Sequence, residues 1–289
     1  MSKPRVLLTG ATGYIAGQLL PAFRKTYDLR MIDVRTTDGA GRPVEGVEVV
    51  DLLAEEDAVL TPLFSGVDAV VHCGHLKPEG DDPRSLYEGE RRNLDMMERV
   101  YRLSLECGVR RVVAASTNQA AKWYENPYYA GLKDRVDPED YPRPDSFYGW
   151  AKAAWEPLGF LYACGSLGRK LEVVQIRIVV PREIDASSFE DAPPERYVRD
   201  LAGYISERDM QQLFRRSIET PDIEDEHGVP FHIFYGVSDN ARKFWSITNA
   251  RRVIGYDPQD DSEVRFAPDI SRLLHEREAP GTAEERRSR

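Results

Sequence analysis

The sequence predicts an α/β fold: a doubly wound parallel sheet with a small, discontinuous cap. Three observations predict it. Short apolar runs alternate with helical stretches over the first two-thirds of the 289 residues. The runs are continuous and rich in valine, isoleucine and leucine, as strands buried on both faces are. A glycine-rich turn follows the first run directly and opens a helix. Alternating β and α units of this kind assemble into a parallel sheet with helices on both sides.

In chain order, the strand-like runs lie at 5–9, 29–34, 47–52, 69–73, 112–116 and 173–179. Helical stretches fall between them at 15–25, 57–64, 84–107 and 146–167. A further strand is expected at 231–237. Beyond Pro181 the pattern loosens. Residues 183–196 are polar and contain Pro193-Pro194, which reads as a loop over the carboxyl edge of the sheet. The expected organisation is a core over 1–180 with a returning strand at about 230–238. A small substrate-binding region is expected from 181–229 and 239–278, followed by a flexible tail at 279–289.

Composition narrows the function. The chain is 41% hydrophobic and 30% charged, which excludes wholesale disorder. No apolar run approaches the roughly 18–20 residues of a membrane span. A net charge of −10 argues against nucleic acid as a partner. Met1-Ser2-Lys3-Pro4-Arg5 runs straight into the first strand without an apolar leader. Cys73, Cys107 and Cys164 are scattered, with no CxxC pair. Both features predict a cytoplasmic protein with reduced thiols. The histidines and cysteines show no ligand spacing, so no metal is expected.

Thr9-Gly10-Ala11-Thr12-Gly13-Tyr14-Ile15-Ala16 joins the first strand to the first helix. This is GxxGxxA, similar to the glycine spacing of the short-chain dehydrogenase branch of the Rossmann fold. Gly10 permits the tight turn, Gly13 lets backbone approach a pyrophosphate, and Ala16 allows helix and strand to pack closely. The first N–H groups of the helix, around Thr12, Tyr14 and Ile15, face the phosphates with a favourable dipole. Asp33 ends the second strand 23 residues after Gly10. A carboxylate there accepts from an adenosine 2′-hydroxyl and repels a 2′-phosphate, favouring NAD over NADP. Arg35 opposes that preference, since it can hold a 2′-phosphate. Asp51 and Leu52 end the third strand where an adenine is bounded; a solvated strand-end aspartate is the alternative.

Tyr148-Gly149-Trp150-Ala151-Lys152 is a YxxxK at the start of a helix. Positions i and i+4 share a helix face, so phenol and ammonium point to one site. A nearby ammonium and the positive charge of a nicotinamide favour tyrosinate, which can take the proton of a substrate hydroxyl. Lys152 also reaches the nicotinamide ribose. Thr117, at the end of the fifth strand, orients the reacting oxygen, with Ser116 the alternative. Cys73, Gly74 and His75 follow the fourth strand in the crevice where open α/β sheets bind ligands. Gly74 suits a close cofactor, and His75 a hydrogen bond to substrate. Cys73 reads as a small packing residue beside the cofactor. Arg177, in the sixth strand, reads as structural.

With these residues in hand, the chain resembles the extended short-chain dehydrogenases, the NAD-dependent epimerase/dehydratase family, over about residues 4–266. Within it, the chain is similar to uronate dehydrogenases and archaeal-type NAD-dependent glucose-6-phosphate dehydrogenases. The specific pieces are Ala115-Ser116-Thr117-Asn118, Arg143-Pro144-Asp145-Ser146-Phe147-Tyr148-Gly149, Tyr235-Gly236-Val237-Ser238-Asp239-Asn240-Ala241-Arg242-Lys243 and Gly255-Tyr256-Asp257-Pro258. The resemblance implies oxidation of the anomeric C1 hydroxyl of a pyranose to a lactone. It implies a catalytic hydroxyl at Thr117, a substrate contact at Asn118 and a carboxylate-binding arginine at Arg199. Three positions depart from the pattern: a substrate histidine is replaced by Gln119, one substrate serine by Lys77 and another by Val180. Lys77 adds a cation suited to a phosphate or other strong anion.

The expected enzyme is an NAD-dependent dehydrogenase acting on C1 of an anionic aldose, with catalytic Thr117, Tyr148 and Lys152. Substrate contacts are expected from His75, Lys77, Asn118, Gln119 and Arg199. The same triad serves transient oxidation at C4, so a nucleotide-sugar epimerase or dehydratase is the enzymatic alternative. A cofactor-sensing protein without turnover is the third reading. The resemblance implies a homodimer paired through the two long helices at 84–107 and 146–167.

Overall fold

A computed structural model of the chain describes residues 3–275. The strands are β1 (Arg5–Thr9), β2 (Asp28–Asp33), β3 (Val47–Val49), β4 (Ala69–His72), β5 (Arg111–Thr117), β6 (Glu172–Ile178) and β7 (Phe231–Gly236). The α-helices longer than four residues are α1 (Tyr14–Thr26), α2 (Asp57–Phe64), α3 (Pro83–Glu106), α4 (Glu125–Tyr129), α5 (Phe147–Ala163), α6 (Pro194–Gly203), α7 (Glu207–Glu219) and α8 (Thr248–Ile254). The sheet runs β3-β2-β1-β4-β5-β6-β7 and every pair is parallel.

The apolar runs explain the layers. Every residue of β4 and β5 is buried. Alternate residues serve opposite faces: Val6 and Leu8 join the core that includes Leu19, Phe23, Leu213 and Phe214, from α1 and α7. Leu7 joins the core that includes Phe64, Met97, Tyr101 and Trp155, from α2, α3 and α5. The strand order reverses between β1 and β4. Their following loops diverge there and open a crevice at the carboxyl edge. Thr9 pairs with His72, His72 with Ala114 and Thr117 with Ile178, so the ends of four adjacent strands meet at that crevice.

The chain after β6 departs from the sequence reading. The stretch expected as a loop carries a 3-10 turn at Ala186–Phe189 and then α6. Pro194 is the first residue of that helix, where its missing N–H costs nothing and its fixed φ suits the first turn. A small third core gathers Val180, Ile184, Tyr197, Leu201, Tyr204, Phe266 and Ile270. Helix α7 was not anticipated; it packs against α1 in the main layers. Tyr14 Oη and Gln18 Nε2 both donate to Pro181 O, at 2.9 and 2.7 Å, tying the segment after β6 to α1. The third predicted strand keeps ladder pairing only over Val47–Val49, and the last long helix ends at Ala163. The expected tail at 279–289 lies outside the described residues. No helix among the described residues is long and apolar enough to cross a membrane.

Candidate active site

One cleft of about 910 Å³ runs along the carboxyl edge of the sheet. Its cofactor end is built from backbone. Gly10 has φ +68°, and a Cβ there would lie 2.5 Å from Gly74 N. The loops after β1 and β4 therefore touch, which only glycine permits. Gly13 starts α1 with no side-chain cap, and no acidic residue stands in the first turn, so the helix end is open to an anion. Gly13, Tyr14 and Ile15 line the cleft. Thr12 does not: it is 2% exposed, and its amide and hydroxyl donate to Asp33 Oδ2 at 2.9 and 2.8 Å. Thr12 thus holds Asp33 rather than facing the cleft. Val34 N donates to Asp33 Oδ1 at 2.7 Å, leaving the carboxylate further acceptor capacity at the cleft wall. Arg35 Nε donates to Thr12 Oγ1 at 3.2 Å, beside Asp33. Asp51 and Leu52 line the same end; Asp51 Oδ1 accepts from Leu53 N at 2.8 Å.

Thr117, Tyr148 and Lys152 all line this cleft, and Thr117 hydrogen-bonds Tyr148. Thr117 is the last residue of β5. Tyr148 stands beside it because Ser146 caps α5, accepting from Gly149 N at 3.1 Å, and because Gly149 lets the helix press on the neighbouring turn. A Cβ at Gly149 would sit 2.4 Å from Gln119 O. Burial raises the Tyr148 phenol above its ordinary value; a hydrogen bond with Thr117 lowers it and the Glu90 charge raises it. Lys152 differs from expectation. It shares the helix face with Tyr148, but its ammonium reaches down to the sheet. Nζ donates to Ala115 O at 2.9 Å and lies over the Trp155 ring. Burial pushes Lys152 down to about 7, against the opposing pull of Cys73 and Glu90. The Cys73 thiol is pushed up to about 12 by desolvation and stays protonated. His72 lies beneath, 2.7 Å from Thr9 Oγ1, and burial holds it neutral by lowering it to about 3.

The distal end is built from paired charges. Arg199 lines the cleft, with Nε and Nη2 on the Glu125 carboxylate at 3.2 and 2.9 Å and Nη1 on Asp200 at 3.3 Å. Arg182 shares Asp200 at 2.6 Å. Asn118 Nδ2 donates to the same Glu125 at 3.2 Å. Gln119 Oε1 accepts from Ser146 Oγ at 3.3 Å, which engages it with the start of α5. Lys77 lines the cleft without an ion pair among the described residues. Val180 is fully buried in the third core and offers no polar group.

Residues 6–164 match the NAD dependent epimerase/dehydratase family. The NAD-dependent glucose-6-phosphate dehydrogenase of Haloferax volcanii is 33% identical over 271 residues, covering 91% of this chain and 95% of that protein. The chain belongs to the NAD dependent epimerase/dehydratase family. It is an oxidoreductase acting on CH–OH groups, and its cofactor is NAD. A uronate dehydrogenase of Pseudomonas putida is 34% identical over 262 residues, covering 90% of this chain and 85% of that one. The structure of a mutated uronate dehydrogenase superposes with a TM-score of 0.70 at 24% identity, over 93% of this chain and 86% of that one, a likeness of fold.

The residues present fit the family's cofactor. The Gly10–Gly74 approach leaves no room for a side chain, the uncapped start of α1 points into the cleft, and Asp33 stands at the end of β2. Among the described residues, no cluster of His, Cys, Asp and Glu could hold a metal ion. Sequence reasoning missed Glu125 and Asp200, which neutralise Arg199, and Glu90, a buried carboxylate behind His75. Glu90 had a signal. It lies on the buried stripe of α3 with Asn93, Met97 and Val100, where a carboxylate is out of place.

Proposed function

We propose that this protein oxidises the C1 hydroxyl of an anionic pyranose, a uronate or sugar phosphate, to the lactone with NAD. The observation that carries the reading is the meeting of Thr117, Tyr148 and Lys152 in one cleft with the glycine loop. Gly10, Gly13, Tyr14 and Ile15 hold the pyrophosphate, and Asp33, with Thr12 behind it, takes the adenosine ribose. When bound, NAD supplies the electron-poor ring that takes up the hydrogen lost from C1 with its electron pair, and its positive charge favours ionised Tyr148. Thr117 and Tyr148 hold the C1 hydroxyl, and Tyr148 takes its proton. Lys152, held on Ala115 O, positions the ribose from beneath. Lys77 holds the anionic end, and Arg199 joins it in competition with Glu125.

The test is product analysis. Glucuronate or glucose 6-phosphate incubated with NAD and the protein should yield one NADH per lactone or hydrolysed acid. A sugar that returns with inverted C4 and no net NADH would replace this reading with the epimerase.

A further inference from the structure

Glu90 is a buried carboxylate that the proposed chemistry leaves unused. It is 3% exposed, on the third turn of α3. Among the described residues no arginine or lysine pairs with it; its partners are Asn93 Nδ2, which donates to Oε2 at 3.0 Å, and His75 Nε2, 3.2 Å from Oε1. Asn93 also grips the loop after β4, accepting from Leu76 N at 2.7 Å and donating to Leu76 O at 2.8 Å. Two successive loop residues, His75 and Leu76, are thus fastened to α3.

Packing alone does not call for this arrangement. A carboxylate without a full countercharge is costly to bury, and an aliphatic side chain on this stripe would cost less. What Glu90 does achieve is the orientation of an imidazole. A carboxylate only accepts, so Nε2 of His75 carries a hydrogen and Nδ1 is left for a ligand. Nδ1 has no hydrogen-bond partner among the described residues. The His75 ring stands edge-on to the Tyr148 ring, with centroids 5.1 Å apart and an interplanar angle of 87°. His75 lines the same cleft as Tyr148 and Thr117. A hydroxyl vicinal to the one held by Tyr148 comes within reach of that imidazole.

We infer that His75, oriented by Glu90, hydrogen-bonds the substrate hydroxyl next to the reacting carbon and so selects 2-hydroxy pyranoses over 2-deoxy ones. This rests on the C1 oxidation proposed above. His75 touches substrate; Glu90 is a positioning residue that acts through it. A site built to bond a hydroxyl rejects the analogue that lacks it, because its own polar group is then left unpaired.

The experiment compares kcat/KM, with NAD, for two matched pairs: glucose 6-phosphate with 2-deoxyglucose 6-phosphate, and glucuronate with 2-deoxyglucuronate. The wild type should favour the hydroxylated member by about 10-fold or more. His75→Phe keeps an aromatic ring against Tyr148 but removes the nitrogen. It should bring the ratio near one by raising KM for the hydroxylated sugar more than for the deoxy sugar. Glu90→Gln keeps the shape and loses the charge; it should lower the ratio several-fold in the same direction. A merely structural Glu90 would lower thermal stability and depress both members alike, leaving the ratio intact, and that result overturns the inference while C1 oxidation stands. No turnover of either pair by protein that still binds NAD overturns the oxidation and this inference together.

Discussion

The two ends of the cleft are made in different ways. At the cofactor end the contacts are backbone: Gly10 against Gly74, the uncapped start of α1, and an aspartate held by a threonine amide. At the distal end they are side chains in a shared network, with Arg199 and Arg182 on Asp200, and Arg199 and Asn118 on Glu125. Backbone geometry is fixed by φ, ψ and the lack of a Cβ, so one substitution destroys it. A charge network can be retuned by one substitution without loss of fold. The cofactor end therefore suits a constant ligand, and the distal end a ligand that differs between relatives.

The contrast can be broken most severely at Gly10. Gly10→Ala places a Cβ against Gly74 backbone at positive φ, which costs about 1–2 kcal/mol before the clash is counted. It should weaken NAD binding by about 100-fold and lower the melting temperature; calorimetry and thermal scans read both. Lys152 probes the seam between the ends. Its folded-state value of about 7 lies below the 10.5 or so of an exposed lysine. Between those pH values the unfolded chain binds the extra proton, so stability rises with pH across that window. NAD-free wild type should gain on Lys152→Met by on the order of 2 kcal/mol between pH 7 and 10. Parallel stability curves would mean that the ammonium is not desolvated.

Asp33→Ala removes the carboxylate while Arg35 stays beside it. NAD affinity should fall about tenfold and the preference over NADP should shrink by a similar factor, as for loss of a hydrogen bond to a charged group. The smallest effect is expected at the distal end. Glu125→Gln releases Arg199 and should lower KM for an anionic sugar about threefold, leaving that for a neutral sugar unchanged. An equal change for both sugars would show that Glu125 shapes the cleft rather than its charge.

The same contrast governs what the sequence could reveal. The glycine loop, Asp33 and the Tyr148–Lys152 spacing were legible because covalent distance along a strand, turn or helix fixes their geometry. The pairing of Arg199 with Glu125 joins residues 74 positions apart and exists only after α4 and α6 come together. Lys152 shows the limit of a helical-face argument: the face was right, but a long side chain reached past the phenol to Ala115 O. Helix α7 was hidden by its polar residues, though Ser206 accepting from Asp209 N, followed by buried Met210, Leu213, Phe214 and Ile218, is an amphipathic helix with its cap. Pro193-Pro194 in a polar stretch suggests a loop, whereas Pro194 begins a helix.

The most direct measurement is NADH absorbance with saturating NAD, for wild type and Tyr148→Phe, across glucuronate, galacturonate, glucose 6-phosphate, glucose and galactose. The account predicts NADH from at least one anionic sugar, faster than from the neutral sugars. It predicts a loss of about 10³-fold or more in Tyr148→Phe, which should still bind NAD. NADH formed equally fast by Tyr148→Phe, or no NADH from any of these sugars by wild type that binds NAD, would contradict it.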